Sequence, residues 1–326
     1  MAKHKKRSKK KIAIIIPFYG QTVQDLAIPL GSINNQIDVD FSQIEIQLIN
    51  DGGIPVKSDE LKIFANLDIK SHDLPENVGA GMARQYGIEQ TSATYVTFVD
   101  SDDMLASPFS LRDFFGILKQ SGNHQIITSK FWEQKKTVKS QDSQWILHEN
   151  TEQNFMVAKW FNRQFLQKYD IKFQPELPIF EDTYFLYSAF LVANDVIYAN
   201  NPSYIWLSNE NSLTRENGGK NLHQLDIWTR KERLYLRFIQ KNFPENFKAA
   251  VEARVIDIFF RNQESPALDE AAMKHEIHIL IDEFSDYWSG NLTELHQIAE
   301  NRLQKYPRFK NNNMTGFDEF MSEFTK

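Results

Sequence analysis

The sequence predicts an α/β fold: a Rossmann-like mixed sheet flanked by helices and followed by a helical carboxyl-terminal extension. Three observations support this. Short apolar, β-branched runs alternate with segments of helical periodicity over residues 11–130. Polar clusters directly follow several of the apolar runs, as expected at the ends of parallel strands. From residue 221 onward the apolar residues recur only at helical spacing, which predicts a region built from helices.

The strand and helix patterns follow one another in a regular order. Residues 11–16 form a β-branched run, and Leu26, Leu30 and Ile33 recur at helical spacing within 21–36. The same reasoning predicts strands at 44–49, 67–72, 94–99 and 125–129, with helices at 58–66, 79–90 and 108–120. This alternation predicts a largely parallel sheet over the first 130 residues.

The remaining chain is less regular at first and then helical. Residues 131–150 are polar and predict a hairpin or a flexible loop, and 154–215 mix short helices and strands. Helices are predicted from 221 onward and at 247–261, 269–284 and 291–305. We therefore expect a flexible tail (1–10), an α/β domain (11–217, with halves 11–130 and 131–217) and a helical region (218–326). The apolar positions of 222–284 are explained by core packing, or by a homo-oligomer interface.

Composition excludes several classes of function. The chain has no cysteine, which rules out thiolate metal sites and cysteine nucleophiles. No apolar run approaches the roughly 20 residues that span a bilayer. Seven basic residues between Lys3 and Lys11 contribute +7 to a net charge of −6, which leaves −13 on residues 12–326. This acidic body argues against nucleic acid as a partner, whereas the tail predicts either contact with an anionic membrane or a solubilising end.

An acid-rich stretch follows the strand predicted at 94–99. Residues 100–103 read Asp-Ser-Asp-Asp. In extended backbone Asp100 and Asp102 face one way and Ser101 faces the other, because successive side chains alternate. A hard cation such as Mg²⁺ or Mn²⁺, which prefers oxygen ligands, would remove the repulsion between these carboxylates. The stretch therefore predicts a metal site, with a solvated turn as the alternative.

Other polar clusters are expected in the same crevice. Residues 17–19 read Pro-Phe-Tyr after the first predicted strand, and residues 50–53 read Asn-Asp-Gly-Gly after the second. Ligands of open α/β sheets bind at the carboxyl ends of the strands, where these clusters and residues 100–103 lie. Residues 76–84 include two glycines ahead of a predicted helix, where free N–H groups favour anions. The guanidinium of Arg84 in the same segment supplies several further N–H donors.

Taken in order, these motifs resemble glycosyltransferase family two. The resemblance covers roughly residues 11–215, and its motifs in the second half lie at residues 157–173 and at Phe180-Glu181-Asp182. It implies the glycosyltransferase-A fold and an inverting, metal-dependent enzyme that uses a UDP-sugar. The chain has Gly53 and Gln85 where the family often has serine and asparagine, but its acids are intact.

The resemblance implies that eight residues bind the nucleotide-sugar. They are Pro17, Tyr19, Asp51, Asn77, Arg84, Asp100, Ser101 and Arg215. Asp51 would contact the uracil beside Pro17 and Tyr19, and Asp100 would contact the ribose or reach the metal. Arg215 suits bidentate phosphate contact, with a surface salt bridge as the alternative.

The resemblance also implies the metal ligands and the catalytic pair. Asp102, with Asp100, would bind Mn²⁺ or Mg²⁺ on the diphosphate. Asp182 would be the general base, and Glu181 beside it would position the sugar or the acceptor. The alternative for this pair is a helix N-terminus, where acids are favourable in any protein. Trp206 could stack on a sugar ring, although core packing explains a single tryptophan better.

These inferences predict a cytoplasmic enzyme, with possible peripheral contact at the inner membrane face. It would move a hexosyl or N-acetylhexosaminyl group from a UDP-sugar to a hydroxyl of a cell-surface polysaccharide, a lipid-linked glycan or a protein-linked glycan. One alternative is a non-catalytic subunit that binds a partner transferase, which the presence of all four acids disfavours. A nucleotidyltransferase is disfavoured because no glycine-rich basic loop follows the first strand.

Overall fold

The chain divides into two compact units, Met1–Asn209 and Glu210–Lys326. A computed structural model describes residues 10–136, 143–209 and 220–325. The boundary predicted at residue 217 therefore falls outside the described residues and stays a prediction, as does the basic tail up to residue 9. In the described part of the chain, none of the helices has both the length and the apolar character needed to cross a membrane.

The first unit is organised by one mixed sheet. Its strands are β1 Ile12–Phe18, β2 Ile44–Asn50, β3 Ile69–Asp73, β4 Tyr95–Phe98, β5 Met104–Leu105, β6 Ile126–Lys136, β7 Ser143–His148, β8 Lys159–Asn162 and β9 Val196–Trp206. The spatial order is β3-β2-β1-β4-β8-β6-β9-β5, and β7 pairs with β6. The β1–β2, β1–β4 and β2–β3 pairs are parallel, as predicted, whereas β8 is antiparallel to both β4 and β6.

Helices cover both faces of this sheet. They are α1 Val23–Asn34, α2 Ala80–Glu89, α3 Ser110–Ser121, α4 Arg163–Tyr169 and α5 Glu181–Val192. Ile14 and Ile16 of β1 belong to the core that includes Leu30 of α1. Ile15 faces the other way because strand side chains alternate, and its Cγ2 lies 2.5 Å from where a β-carbon on Gly87 of α2 would be. Each buried isoleucine contributes about 1.5–3 kcal/mol to this packing.

The second unit contains helices in its described residues, as the sequence predicts. They are α6 Leu225–Asn242, α7 Phe247–Glu264, α8 Glu270–Glu283, α9 Leu292–Lys305 and α10 Phe317–Ser322. Helix α6 packs against α7 and α8, and α9 packs against α7 and α10. Fully buried side chains such as Leu236, Ile256 and Leu280 form its core. These contacts explain the apolar periodicity within the unit, and the homo-oligomer stays a prediction.

Two local predictions need correction, and of the hairpin or flexible loop predicted for 131–150 the structure shows the hairpin. The short helix expected at 58–66 is only a 3₁₀ turn at Glu60–Ile63. The polar segment 131–150 is a paired hairpin of β6 and β7, and residues 137–142 between them lie outside the described part. Leu222 lies in a 3₁₀ turn at Lys220–His223 and exposes 50% of its surface, because α6 begins four residues after the predicted start at residue 221.

Candidate functional site

The loops that follow β1, β2 and β3 come into direct contact. Gly52 has a φ of +76°, and a β-carbon there would lie 2.4 Å from the carbonyl carbon of Glu76. A β-carbon on Gly53 would lie 2.7 Å from the backbone nitrogen of Gly20. Glycine is therefore required at both positions for the loops to approach each other. The clusters after these strands do gather at one edge of the sheet.

Asp51 holds the loop that leads into α2. Its side chain is buried, and its two carboxylate oxygens accept hydrogen bonds from the backbone N–H groups of Val78 and Gly79, at 2.8 and 3.0 Å. The side chain of Asn77 is exposed, and its Oδ1 accepts the Gly79 N–H at 3.1 Å. Asp51 thus has a loop-ordering function that the sequence did not indicate, and its contact with a uracil stays a prediction.

The two residues expected to line a base pocket differ in accessibility. Pro17 is buried inside β1, where it pairs with Ile49 of β2. Tyr19 lies just beyond the end of β1 and exposes 58% of its surface. The Tyr19 ring is therefore accessible to a ligand, whereas Pro17 is a buried part of the strand.

Arg84 joins the end of β4 to the start of α5. Its Nη2 donates to Oδ1 of Asp100 at 2.7 Å, and its Nη1 donates to Oε1 of Glu181 at 3.4 Å. The residue exposes only 7% of its surface. Burial opposes the charge, but the two carboxylates outweigh it and raise the pKa of Arg84 above its ordinary value. Arg84 thus positions two of the predicted site acids, and its support of the nucleotide stays a prediction.

Glu181 and Asp182 form the first turn of α5, so the predicted helix N-terminus exists. Phe180 precedes them in a left-handed conformation, with a φ of +62°. Glu181 packs against the first turn of α2: a β-carbon on Gly81 would lie 2.4 Å from its Cγ. A left-handed backbone at a bulky residue is costly and is typical of functional sites.

The environment of this pair favours protonated carboxyl groups. Burial raises the pKa of Glu181 to about 7, and repulsion by Asp182 acts in the same direction, while Arg84 opposes both. Burial also raises the pKa of Asp182, against the effect of Arg84 and of the Thr183 N–H and hydroxyl. Both Thr183 groups donate to Oδ1 of Asp182, at 2.6 and 3.2 Å. Carboxyl groups with raised pKa values are suited to proton transfer near neutral pH.

The acid-rich stretch is a turn and not an extension of the strand. β4 ends at Phe98, and the N–H of Asp103 donates to the carbonyl of Asp100 at 3.1 Å. The prediction that Asp100 and Asp102 face one way because of strand alternation, with Ser101 opposite, was therefore wrong in its reasoning. A turn after a parallel strand is nevertheless where ligands of such sheets bind.

Asp103 and Tyr204 anchor this turn, which the sequence did not indicate. Asp103 is 1% exposed, accepts the Tyr204 hydroxyl at 2.7 Å and accepts the Leu207 N–H at 2.8 Å. The Tyr204 oxygen in turn accepts the N–H of Asp100 at 3.1 Å. Burial, with repulsion from Asp100, raises the pKa of Asp103 well above its ordinary value. The last acid of the motif is therefore structural.

The residues present fit a cation that a diphosphate would help to hold. Asp100 keeps 37% of its side chain exposed beside Arg84, and Asp102 accepts the side-chain amide of Asn209 at 2.8 Å. Among the described residues there is no group of three or more histidines or acids suited to a metal. Mg²⁺ is commonly bound by one or two carboxylates plus substrate phosphates, so a two-acid site is chemically sufficient.

Arg215 and Trp206 are two further residues that the sequence offers for contact with a ligand. Arg215 lies in the stretch 210–219, outside the described residues, so its phosphate contact stays a prediction. Trp206, at the end of β9, is partly buried against the core, with its ring 5.7 Å from that of Phe155. Core packing, the preferred explanation for this tryptophan, accounts for its position.

The raised pKa of Glu181 predicts a pH-dependent cost in stability. A carboxyl group whose folded-state pKa rises from its ordinary 4.5 to about 7 stabilises the fold fully only below 4.5, and that contribution is lost as pH rises through 7. Glu181→Gln removes this cost. We therefore expect the variant to gain about 1–3 kcal/mol over the wild type as pH rises from about 4.5 to about 7, measured by urea unfolding. Parallel pH profiles of the two proteins would contradict the assignment.

Several known proteins are similar to this chain. A family model described as Glycosyl transferase family 2 matches residues 13–194. Glycosyltransferase GlyA of Streptococcus pneumoniae is 25% identical over 297 residues, 82% of this chain and 40% of GlyA. The uncharacterized glycosyltransferase EpsJ of Bacillus subtilis is 28% identical over 220 residues, 62% of each chain. This chain therefore spans less than two thirds of the length of either relative.

Solved structures of S. aureus TarS share the fold. The fragment TarS 1-349 matches with a TM-score of 0.62 and 16% identity, over 96% of this chain and 88% of that chain. The same fragment in complex with UDP-GlcNAc matches with a TM-score of 0.63 at 16% identity, with the same coverage of both chains. At this level of identity the likeness concerns the fold alone, and it confirms the glycosyltransferase-A architecture predicted from the sequence.

Proposed function

Because this chain belongs to glycosyl transferase family 2, we propose that it transfers a sugar from a UDP-sugar to an acceptor hydroxyl. One observation carries the proposal. Arg84 binds both Asp100, one of the two predicted metal ligands, and Glu181, the neighbour of the predicted base Asp182, although these residues lie far apart in sequence. Such a cluster is costly unless a ligand or a reaction uses it.

The donor would bind at the carboxyl ends of β1 and β2. Tyr19 offers an exposed ring for the uracil, and the close approach of the loops at Gly52 and Gly53 holds the backbone beside this strand end in place. The solved complex of TarS with UDP-GlcNAc, a protein of the same fold, supports a UDP-linked donor. The donated sugar is proposed to be a hexose or an N-acetylhexosamine.

Asp182 would take the proton of the acceptor hydroxyl as that oxygen attacks the anomeric carbon. Thr183 orients its carboxylate through two hydrogen bonds, and Arg84 favours its charged form. Glu181, whose pKa is raised to about 7, would hold a proton and orient the sugar or the acceptor. A single displacement assisted by one base inverts the configuration at the anomeric carbon.

A divalent cation is proposed as the cofactor. Asp102 and Asp100 would hold Mn²⁺ or Mg²⁺, with diphosphate oxygens completing the coordination. When bound, the cation neutralises the charge that develops on the leaving diphosphate. The chain's own contribution is to keep the turn in place, through Asp103 and Tyr204, and to balance part of the negative charge with Arg84.

The proposed acceptor is a hydroxyl of a cell-surface polysaccharide, a lipid-linked glycan or a protein-linked glycan. The similarity to GlyA and EpsJ supports a glycosyltransferase but not a particular acceptor. We also propose a cytoplasmic location, contact of the basic tail with an anionic membrane, and a homo-oligomer. The alternative, a non-catalytic partner subunit, remains disfavoured because the acids at 51, 100, 102 and 182 are all present.

The function is tested with a panel of UDP-sugars: UDP-glucose, UDP-galactose, UDP-N-acetylglucosamine and UDP-N-acetylgalactosamine. We expect one or two members to raise the melting temperature and to release UDP slowly by hydrolysis, with Mn²⁺ present but not with a chelator. GDP-mannose is the matched control and should produce neither effect. If every UDP-sugar is inert with and without metal, the non-catalytic subunit becomes the better explanation.

A further inference from the structure

A second concave surface lies on the first unit, in addition to the candidate site. It is a groove of about 510 Å³ between α3 and β9, with β6 and β8 contributing to its floor. This is within the range of roughly 300–1,000 Å³ typical of small-molecule sites. The described residues that line this α3–β9 groove include none of the acids or loop residues of the candidate site.

The floor of the groove is apolar and its rim carries an exposed aromatic ring. Trp160 of β8 stacks on Phe114 of α3, with ring centroids 4.1 Å apart and planes inclined by 15°. Tyr198 of β9 lines the groove and exposes 44% of its surface. A partly exposed aromatic ring beside an apolar floor gives a flat surface against which the C–H face of a ring can stack.

An irregularity in β9 places amide groups along the opposite part of the rim. Ala199 pairs with Ser129, and Tyr204 pairs with Phe131. Between these pairs β9 contributes residues 200–203, whereas β6 contributes only Lys130. A bulge of this kind re-aims side chains out of the regular pleat. Asn200 and Asn201, within it, are exposed and line the groove.

On the rim of the groove, polar side chains of β9 and α3 are joined by hydrogen bonds. The side-chain amide of Asn201 donates to Oδ2 of Asp113 at 2.8 Å. Arg112 donates to Oδ1 of the same carboxylate at 3.1 Å and lies 4.1 Å from the ring centroid of Phe109. The rim therefore presents amides and an acid–base pair whose charges cancel, and it offers no net positive field to an anion.

We propose that the α3–β9 groove binds a neutral sugar unit of the acceptor glycan, at a distance from the unit that receives the transferred sugar. A pyranose has one apolar C–H face and a rim of hydroxyls, which matches an aromatic ring flanked by planar amide and carboxylate groups. A nucleotide or phosphate is disfavoured by Asp113, and a purely apolar ligand by the exposed amides of the bulge. The identification of the occupant as acceptor rests on the proposed function.

The position of the groove along β9 fits this assignment. Ser203 lines the groove, and the next residue, Tyr204, binds the acid turn through Asp103. The strand from Tyr198 to Tyr204 spans at most about 20 Å, because a strand rises about 3.3 Å per residue. An extended glycan seated against Tyr198 could therefore continue along β9 towards the acids. A second contact of this kind would raise the affinity for longer acceptors through effective concentration.

Gly116 provides a direct way to close the groove. It lies within α3 and lines the groove, and a β-carbon there would meet nothing within 4 Å. Gly116→Leu is therefore expected to fill space that is open in the protein without clashing with existing contacts. Gly31 of α1 is the matched control, because it is also helical, also lacks neighbours within 4 Å of a β-carbon, and does not line the groove.

The test is saturation-transfer NMR with maltotetraose, laminaritetraose and chitotetraose, each at about 1 mM, with full-length protein. We expect at least one oligosaccharide to receive saturation from the wild type and from Gly31→Leu, and about tenfold less or none from Gly116→Leu. Tyr198→Ala should show the same loss, whereas Trp145→Ala, which removes another exposed aromatic residue, should not. Absence of binding by the wild type, or unchanged binding by Gly116→Leu, would overturn the proposal.

The donor assay separates this proposal from the proposed function. The response to a UDP-sugar with Mn²⁺ should be the same for wild type, Gly116→Leu and Gly31→Leu, because none of these changes touches the acid cluster. Loss of the oligosaccharide signal with an intact donor response would support the groove. A failed donor response in the wild type would count against the enzyme proposal, whatever the oligosaccharides do.

Discussion

Asparagine in place of Asp182 is expected to lower the rate of sugar transfer by about 10²–10⁴-fold, because a positioned general base contributes that much. The amide keeps the size of the side chain and its contact with the Thr183 N–H, so the fold should survive. Donor binding should change little, because the predicted nucleotide contacts lie at other positions. The measurements are single-turnover transfer and calorimetric titration of UDP with Mn²⁺.

Asp269→Asn is the matched control for this substitution. Asp269 also stands at a helix N-terminus, where its carboxylate accepts the N–H of Ala272 at 2.8 Å, but it caps α8 in the second unit. It should lose a little stability and no transfer activity. If Asp182→Asn transfers sugar at the wild-type rate, the base is another group, and Glu181 becomes the first candidate.

Asp102→Asn is expected to abolish the metal-dependent part of the reaction, with a loss of at least about 100-fold in transfer rate. A cation that stabilises a leaving diphosphate supplies several kcal/mol, and each 1.36 kcal/mol corresponds to a factor of ten. Affinity for Mn²⁺ in the presence of UDP should fall in parallel. Electron paramagnetic resonance of free Mn²⁺ measures this directly and without turnover.

Asp59→Asn controls for the change of charge. Asp59 has 86% of its side chain exposed and pairs only with the nearby Lys62 among the contacts described for it. It should leave both Mn²⁺ affinity and transfer unchanged, since exposed ion pairs contribute little. Unchanged Mn²⁺ affinity in Asp102→Asn would instead show that this carboxylate is not a ligand.

The sequence is most informative for the sheet, because the apolar pattern of each strand also indicates where the strand ends and its ligand-binding loop begins. The strands β1, β2 and β4 are buried on both faces, so their residues are mostly apolar, and the polar residues that follow them mark the carboxyl edge of the sheet. This is why Asp51, Asp100 and Asp102 could be named before the structure was known. The resemblance to a family supplied the pair Glu181-Asp182, which has no distinctive local pattern of its own.

The rest could not be predicted because it depends on contacts between distant segments. Nothing near Arg84 in the sequence indicates that Asp100 and Glu181 would occupy both of its terminal nitrogens. The pairing of Asp103 with Tyr204 joins residues 101 positions apart, and it makes one member of an acid motif structural. The α3–β9 groove depends on a bulge in β9 that only the register against β6 reveals.

The charge balance around Arg84 has a consequence for handling the protein. A single guanidinium faces the carboxylates of Asp100, Glu181 and Asp182 in a shielded environment, so without a ligand the carboxylates repel one another. A bound cation and nucleotide would relieve that repulsion and stabilise the folded state by mass action. Preparations kept with Mn²⁺ and UDP should therefore resist heat and proteases better than preparations stored in chelating buffer.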